Sequence, residues 1–285
     1  MSPGKTFDSR IRECYANMTP AERRLGDVLT SLPGTPAGYS ATELAALAGV
    51  SKAVTTRFFR SLGYGGFDEF RDELRAAANA GSPAYQPVGD PDVAIDERLQ
   101  PHLRRESRNL SQTLRGLAPH VLDESAEAVR AAGRIYVCGF RNSYLLAGYL
   151  ARQLQLMRGG VALLPAAGQT LGDDLTALGD GDLFVAIGLR RRVPQLKTLM
   201  SIARENGAKC LYLTDPSSRG DRGPTDWVIE CEIRGAAPFD SYATAMGVLN
   251  LLCAEVFRHD IDGGYRRLRE IENLHDALGE LEGMS

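Results

Sequence analysis

Residues 51–60 combine hydroxyl and cationic side chains at a spacing that suits DNA recognition. Val54, Phe58 and Leu62 recur at helical spacing and are expected to face inward, which leaves the polar side chains facing outward or along the flanks. Guanidinium, ammonium and hydroxyl groups hydrogen-bond to phosphate oxygens and to base edges in the major groove. The predicted DNA-binding residues are Ser51, Lys52, Thr55, Thr56, Arg57 and Arg60.

Two further groups of polar residues directly follow apolar segments in the C-terminal half, and their chemistry is that of an anion site. Each group stands before a predicted helix, whose free backbone amides and partial positive charge favour a bound anion. One group follows the segment IYVCG, the other follows LFVAIG, and a serine at the start of a late helix is a weaker candidate. The predicted ligand-binding residues are Gly139, Arg141, Asn142, Ser143, Arg190, Arg191, Arg192 and Ser241.

The run of three arginines at 190–192 needs something to offset its charge. Neighbouring guanidinium groups repel one another unless water or a bound anion screens them. A dianion or a carboxylate would fit. The alternative is that one or two of these side chains extend into solvent or pair with Asp173 or Asp174.

A helix-turn-helix is predicted to carry the DNA-binding residues. Ser40 and Glu43 form a Ser/Thr-x-x-Glu capping box that begins one helix, and Gly49 can take the left-handed conformation that ends it. Ser51 can cap the next helix, and the TPAE segment at 19–22 begins an earlier one, so three helices enclose a small core. A small helical domain that binds protein, or nothing, is the alternative.

The second half alternates strands with helices. Apolar runs at 134–139, 161–164, 183–188, 209–214 and 227–233 predict a five-stranded parallel sheet covered on both faces, a three-layer αβα sandwich. A long polar helix at 93–117, with Ile95, Leu99, Leu103, Leu110 and Leu114 near one side, and another helix from 119 to about 132 come before the sheet; a third, from about 240 to 259, follows it. An amphipathic segment at 264–281 would pack either on a partner subunit or on its own domain.

Length, charge and composition limit the class of protein that this chain can be. A chain of 285 residues suits two domains, and a Gly- and Pro-rich stretch before residue 93 predicts the domains 1–80 and 93–285 with a linker at 81–92. The net charge of −3 argues against a protein that coats nucleic acid and leaves room for a specific binder. Five scattered cysteines favour a reduced cytoplasm, and no segment reaches the roughly 20 apolar residues of a membrane span.

Catalysis is the minor hypothesis. An isomerase needs a positioned general base, and the four histidines all fall on predicted helices or at their ends. No recognised hydrolase, nucleotide or metal-ligand motif is present, so no catalytic residue, cofactor or metal is predicted. A sugar-phosphate isomerase with an N-terminal interaction module stays as the alternative function.

Both halves resemble the RpiR-type bacterial transcriptional regulators, which join a helix-turn-helix domain to a sugar isomerase (SIS) domain. MTPAERRL, TELAALAGVS and TRFFRSLGYGGF are similar to the DNA-binding signature, and GRIYVCGFRNSYLLAGYLARQL and AKCLYLTD are similar to parts of the SIS domain. The resemblance implies a phosphosugar bound through hydroxyl groups of two loops, and Ser143 matches the first. Two departures are visible: Val54 stands where Thr is usual, and the 190–192 arginines replace the hydroxyl groups of the second loop.

These observations together predict a cytoplasmic DNA-binding regulator that responds to a small anionic metabolite. Because guanidinium groups recognise both phosphates and carboxylates, the effector could be either a sugar phosphate or a carboxylated catabolite. The predicted partners are a double-stranded DNA operator and a second copy of the chain, in a homodimer or homotetramer.

Overall fold

The structure, a computed structural model, describes residues 7–32, 36–79, 94–235 and 239–280, and the chain divides into two compact units between Ala94 and Ile95. The predicted linker at 81–92 lies outside the described residues. Among the described residues, no helix combines the length and the apolar character that a membrane crossing requires.

The first unit is all-helical, as predicted. Its core is aromatic: Phe58, Phe59 and Phe70 are completely buried, and the rings of Phe59 and Phe70 lie 4.8 Å apart. Two of its helices were not predicted, one before and one after the helix-turn-helix. The helices are α1 (Phe7–Cys14), α2 (Pro20–Ser31), α3 (Ala41–Leu47), α4 (Lys52–Ser61) and α5 (Phe67–Asn79).

Local capping chemistry begins and ends the central helices of this unit. Both predicted capping boxes form, Thr19 with Glu22 at α2 and Ser40 with Glu43 at α3. Gly49 follows α3 with a φ of 61°. This conformation is energetically unfavourable for a residue with a Cβ atom, whereas glycine adopts it readily. Ser51 then accepts a hydrogen bond from the Val54 amide and caps α4. The sequence therefore fixes the sharp turn between α3 and α4.

The second unit is the predicted three-layer sandwich. Its five strands are parallel in the order β2-β1-β3-β4-β5. Residues of α7, α8 and α11 pack on one face of the sheet, while residues of α9 and α10 pack on the other. The elements are α6 (Ile95–Gly116), α7 (Pro119–Ala131), β1 (Ile135–Gly139), α8 (Asn142–Gln155), β2 (Val161–Leu164), α9 (Leu171–Leu175), β3 (Leu183–Gly188), α10 (Pro194–Glu205), β4 (Lys209–Thr214), β5 (Trp227–Glu230), α11 (Ala243–His259) and α12 (Ile261–Leu278).

The base of the sandwich, at the amino ends of the strands, is held by one guanidinium group. Arg158 donates to the backbone carbonyls of Val129, Arg130, Ala132 and Gly133, at distances between 2.6 and 3.2 Å. Burial lowers the pKa of Arg158, because the charged form loses hydration. The carbonyls at the end of α7, which have no partner within a helix, are satisfied in this way.

Helix α6 packs on its own unit through polar residues. Asn109 donates to the Arg234 carbonyl at 2.9 Å, and the Thr113 hydroxyl accepts from the Glu232 amide at 2.8 Å. The five apolar residues that the sequence placed near one side of this helix are all exposed, between 42% and 72%. The helix therefore has a buried polar face and an exposed apolar one.

Candidate DNA-binding surface and ligand crevice

The outer surface of α4 carries a row of polar side chains. Lys52, Thr56 and Arg60 are exposed and four residues apart, so they lie along one line of the helix, with exposed Arg57 beside them. The Thr56 hydroxyl donates to the Lys52 carbonyl at 3.1 Å and keeps its lone pairs available as acceptors. Exposed Ala53 adds no bulk. This surface can approach a duplex closely.

One predicted DNA contact faces the wrong way. Thr55 was expected outside, but it is buried at 2% exposure, and its hydroxyl donates to the Ser51 carbonyl at 3.4 Å. The prediction of an outward Thr55 is wrong because the buried stripe is wider than the one read from the sequence. It includes Thr55, Phe58 and Phe59, while Val54 is only half-buried.

The second candidate site lies where strand order reverses. Strand β1 pairs with β2 on one side and β3 on the other, so the loops after β1 and β3 lead to helices on opposite faces of the sheet. The position between these two loops, beyond the carboxyl edge of the sheet, is the expected ligand crevice. In open parallel sheets this is where ligands bind. All but one of the predicted ligand-binding residues lie in these two loops, at 139–143 and 190–192.

Ser143 connects the two loops. Its side chain is 4% exposed, and its hydroxyl oxygen accepts a hydrogen bond of 3.3 Å from the Leu189 amide. A side chain at Gly139 would overlap the carbonyl of Ser143, so only glycine fits at the end of β1. The hydroxyl that the family resemblance assigns to a phosphosugar is thus engaged within the chain.

Carboxylates offset two of the three arginines at 190–192. Asp215, 2% exposed, accepts from the Arg192 guanidinium at 2.6 Å and from the Arg190 amide at 2.8 Å. Asp240 lies 3.2 Å from the Arg190 guanidinium. The alternative partners named from sequence, Asp173 and Asp174, are therefore wrong. Mutual repulsion among these arginines does not by itself require a ligand.

Arg141 and Arg191 differ from this pair. Their φ angles are 56° and 52°, and among the described residues they are the only non-glycine residues in the left-handed region. Both side chains are exposed, and neither has an ion-pair partner in the described part of the chain. Strained residues of this kind cluster at functional sites, and these two occupy the loops on either side of the crevice. They are its available positive charges.

Burial raises the pKa of two groups close to these arginines, Asp240 and Tyr242. The pKa of Asp240 is raised by burial, an effect that the charge of Arg190 partly offsets. The pKa of Tyr242 is raised by burial and by the charge of Asp240, while a hydrogen bond with Asn142 acts in the opposite direction. The Arg190 Nε atom is buried and has no acceptor among the residues that the structure describes. An anion in the crevice would supply one.

Ser241, the remaining predicted ligand-binding residue, has a partner on α6. Its hydroxyl donates to Glu106 at 2.9 Å and accepts, at 3.4 Å, from the Ala243 amide at the start of α11. These bonds engage Ser241 within the chain, between α6 and the start of α11.

Sequence reasoning missed Asp215 and Asp240. Asp215 directly follows β4, at the same carboxyl edge as the two loops, so the rule that located those loops also locates it. Asp240 lies in an irregular segment before α11, and no local pattern marks it. Among the described residues, no group of three or more His, Cys, Asp or Glu side chains could hold a metal ion.

Fold and site define a two-domain protein, a helix-turn-helix unit followed by a sandwich with a cationic crevice at its switch point. Comparison with known families gives the same division: the helix-turn-helix domain of the rpiR family matches residues 6–81, and the SIS domain matches residues 128–254. The chain belongs to the RpiR-type family of helix-turn-helix proteins with a SIS domain.

The relatives include a transcriptional regulator and a bifunctional protein. The HTH-type transcriptional regulator HexR of Pseudomonas aeruginosa is 27% identical over 226 residues, which cover 78% of this chain and 77% of HexR. The bifunctional protein glk of Paraburkholderia xenovorans is 26% identical over 215 residues, 73% of this chain but only 33% of that protein.

Solved structures share the fold. The sugar isomerase domain of an RpiR transcription factor from Sphaerobacter thermophilus has a TM-score of 0.57 and 27% identity, covering 61% of this chain and 97% of that one. The Vibrio vulnificus NanR protein complexed with ManNAc-6P has a TM-score of 0.55 and 16% identity, covering 94% of this chain and 98% of NanR.

Proposed function

We propose that this protein is a cytoplasmic, DNA-binding transcriptional regulator whose SIS domain binds a small anionic metabolite and thereby changes operator affinity. The observation that carries the proposal is the exposed row of Lys52, Thr56 and Arg60 on a helix that the Gly49 turn and the Ser51 cap position. Exposed Arg57 lies beside that row. Ser51, at the amino end of α4, would contact a phosphate group of the DNA backbone. In a helix-turn-helix the second helix lies in the major groove, and we propose that α4 does so here.

The effector we propose is a phosphosugar, with a carboxylated metabolite as the second candidate. NanR, whose fold this chain shares, is complexed with a phosphosugar. Arg141 and Arg191 would hold the anionic group from the two loops, with the amide groups of Asn142 and of residues 191–192 beside it. Arg190 would contribute its unsatisfied Nε–H, while Arg192 stays bound to Asp215. An effector acts on DNA binding only through a difference in affinity for the two states of the protein.

We propose a sensor and not an isomerase because the crevice loops hold no free base among the described residues. Guanidinium groups do not give up protons at physiological pH. The two carboxylates behind them, Asp215 and Asp240, are already bound by arginines. His259 is paired with Asp123 and Glu127 of α7. Turnover of phosphosugars by the pure protein would favour the isomerase alternative.

Arg57→Ala tests the DNA-binding surface. Operator duplexes are first selected from fragmented chromosomal DNA, and binding is then measured as a function of salt. We expect a loss of about 1–3 kcal/mol for Arg57→Ala, with a shallower salt slope if the contact is to phosphate. Arg24→Ala, an exposed arginine of α2, is the control and should change neither quantity. If the two variants bound the operator equally at every salt concentration, α4 would not be the helix that contacts DNA.

Arg141→Ala with Arg191→Ala tests the crevice. Thermal shifts against a panel of sugar phosphates, sugar acids and inorganic phosphate identify the effector class for the parent protein. The double variant should lose that shift and keep operator affinity in the absence of ligand. An unchanged shift would place the ligand elsewhere.

A further inference from the structure

Asp240, Ser241 and Tyr242 are consecutive in the chain, yet their side chains reach three different elements. Asp240 lies 3.2 Å from the guanidinium group of Arg190, in the loop after β3. Tyr242 is hydrogen-bonded to a side chain of the loop after β1. The Ser241 hydroxyl donates to the Glu106 carboxylate of α6 at 2.9 Å. This short stretch therefore connects both loops of the ligand crevice to α6.

The irregular segment between β5 and α11, which carries Asp240, is held by one face of α6. The Ser241 amide donates to the Ile233 carbonyl at 2.8 Å and so joins the two ends of the segment. Four side chains of α6 hydrogen-bond to the segment, and at 100° per residue they fall within roughly 100° of the helix circumference: Arg105, Glu106, Asn109 and Thr113. Of these four, only Glu106 binds a residue next to Asp240.

Glu106 also lies where α6 first packs on its own unit. Residues 95–104 are all exposed, whereas Arg105 and Glu106 are half-buried. We call residues 105–109 the first packed turn of α6. The exposed residues before this turn follow the first unit along the chain, because the two units divide between Ala94 and Ile95. A change in how Glu106 is held would therefore act on the part of α6 that is nearest in sequence to the DNA-binding unit.

The Glu106 carboxylate depends on Ser241. Its Oε1 atom is buried and has no hydrogen-bond partner among the residues that the structure describes, while its Oε2 atom accepts the bond from Ser241. A buried acceptor without a donor is unfavourable, so loss of this bond would cost more than loss of an exposed hydrogen bond. The bond therefore restricts the position of Ser241 and of Asp240 beside it.

The bond between Ser241 and Glu106 and a bound anion would oppose each other. An anion that binds Arg190 competes with Asp240 for the same guanidinium group. Because the bond to Glu106 keeps Asp240 ordered near Arg190, it makes this carboxylate a preorganised competitor and lowers anion affinity. The reverse effect has the same size, since coupling between two binding events is reciprocal.

We propose that Glu106 is a positioning residue of the ligand crevice, which acts through Ser241 to hold Asp240 against Arg190. Anion binding displaces Asp240 and in turn loosens the first packed turn of α6. The inference rests on the anion binding proposed for the crevice. It adds a route by which the crevice acts on the helix that follows the DNA-binding unit in the chain.

The first experiment measures sulfate affinity by isothermal titration. Ser241→Ala removes the bond without changing any charge, and we expect sulfate to bind about three- to fivefold more tightly, because Asp240 becomes a less ordered competitor. Glu106→Leu removes the same bond from the other side and should give a similar gain. Glu106→Gln removes the charge but keeps an acceptor for the hydroxyl, so it should stay within about twofold of the parent protein. Circular dichroism and thermal melts establish that each variant is folded.

The gain has to vanish when Asp240 is already absent. Beside Asp240→Asn, Ser241→Ala should change sulfate affinity by less than about 1.5-fold, because residues that act through one another are not additive. Thr113→Val is the control: it removes the bond from α6 to the Glu232 amide of the same segment and should leave sulfate affinity unchanged, although it lowers stability. No gain or weaker binding in Ser241→Ala, or a gain that persists beside Asp240→Asn, would overturn the inference.

The second experiment follows the effect from the anion to α6 by hydrogen exchange and mass spectrometry. In the parent protein, saturating sulfate should speed exchange at least about twofold in peptides that contain residues 105–109, because these residues lose part of their packing. Asp240→Asn should lack this response, since its ion pair with Arg190 is absent before sulfate binds. Slower or unchanged exchange in the parent protein, or the same response in Asp240→Asn, would contradict the proposed route.

Failure of the inference and failure of the proposed function give different results. If Arg141→Ala with Arg191→Ala abolishes sulfate binding, the crevice is an anion site, and additive effects at Ser241 and Asp240 overturn only the role of Glu106. If the parent protein binds no sulfate, or the double arginine variant still binds it, the anion crevice and the role of Glu106 are overturned together.

Discussion

The guanidinium Nη1 atom of Arg190 lies 3.2 Å from the Oδ1 atom of Asp240, and each side chain is 18% exposed. A carboxylate of the protein thus occupies one face of an arginine that borders the ligand crevice. An anionic effector that uses this arginine has to compete with that carboxylate. We therefore expect Asp240 to limit the affinity for the proposed effector and to select against weakly charged ligands.

Removing the charge of Asp240 should strengthen anion binding. In Asp240→Asn, Arg190 no longer has a carboxylate partner, and we expect anions to bind about tenfold more tightly. Isothermal titration with the phosphosugar that gives the largest thermal shift measures this change. Asp180→Asn, an exposed residue just before β3 and so at the opposite edge of the sheet, is the control. Weaker binding by Asp240→Asn would show instead that Asp240 orients Arg190 for the ligand.

The same carboxylate predicts a pH dependence. Burial raises the pKa of Asp240 above its ordinary value, so the folded protein favours the neutral form, and this group opposes folding increasingly as pH rises through that pKa. Protonation also releases Arg190, so anion affinity should rise as pH falls through the raised pKa. Sulfate is the suitable probe because its own charge does not change in this range. Asp240→Asn should remove the dependence attributable to this group, and an identical pH profile in the variant would exclude Asp240 as its source.

Backbone strain at Arg141 predicts an unusual order of stabilities. A left-handed φ costs a residue with a Cβ atom about 1–2 kcal/mol but costs glycine little, so Arg141→Gly should exceed Arg141→Ala in unfolding free energy by about 1 kcal/mol. The order should reverse at Arg152, an exposed position inside α8, where glycine is about 1 kcal/mol less stable than alanine. Urea unfolding of the four variants measures both differences in unfolding free energy. The same order at both positions would mean that Arg141 is not strained.

Adjacent threonines of α4 should respond differently to the same change. Thr55 is buried, so Thr55→Val should keep operator affinity and alter stability by less than about 1 kcal/mol. Thr56 is exposed beside Lys52 and Arg60, so Thr56→Val should weaken operator binding by about 1 kcal/mol through one lost hydrogen bond. Fluorescence anisotropy with a selected operator measures both. A larger loss of DNA affinity in Thr55→Val, with stability unchanged, would contradict the burial.

The turn between α3 and α4 should depend on glycine at one position. Gly49→Ala forces a Cβ atom into a left-handed conformation and should lower the unfolding free energy of the first unit by about 1–2 kcal/mol. Gly38→Ala is the matched control, because an added Cβ meets no atom within 4 Å at either position and only Gly49 has a positive φ. Thermal melts of both variants measure the difference, and equal melting temperatures would refute a conformational requirement at Gly49.

The fold could be predicted from sequence because its signals are local. Capping boxes mark the starts of α2 and α3, and β2, β3 and β4 begin and end at the residues predicted for them. Strand β5 ends at Glu230, earlier than predicted, and α11 begins at Ala243, later than predicted, because residues 231–235 and 239–242 are irregular. Local patterns do not locate such a segment.

The site was predicted less completely because its charges are balanced by residues distant in sequence. The loops at 139–143 and 190–192 follow from the rule on strand ends, but the partners of Arg190 and Arg192 lie 50 and 23 residues further along the chain. The exposure of the five apolar residues of α6 was equally hidden, since an apolar side of a helix is ordinarily taken for a core face. Thr55 shows the same limit, because a hydroxyl group can be buried when its own helix provides an acceptor.

Arg158 fixes the edge of the sheet that lies opposite the crevice. By donating to four carbonyls where α7 meets β1, it holds the end of α7 at the amino ends of the strands. The proposed effector would therefore act first on the helices that start at the crevice, α8 after Arg141, α10 after Val193 and α11 after Tyr242. Of these helices, α11 packs against α6.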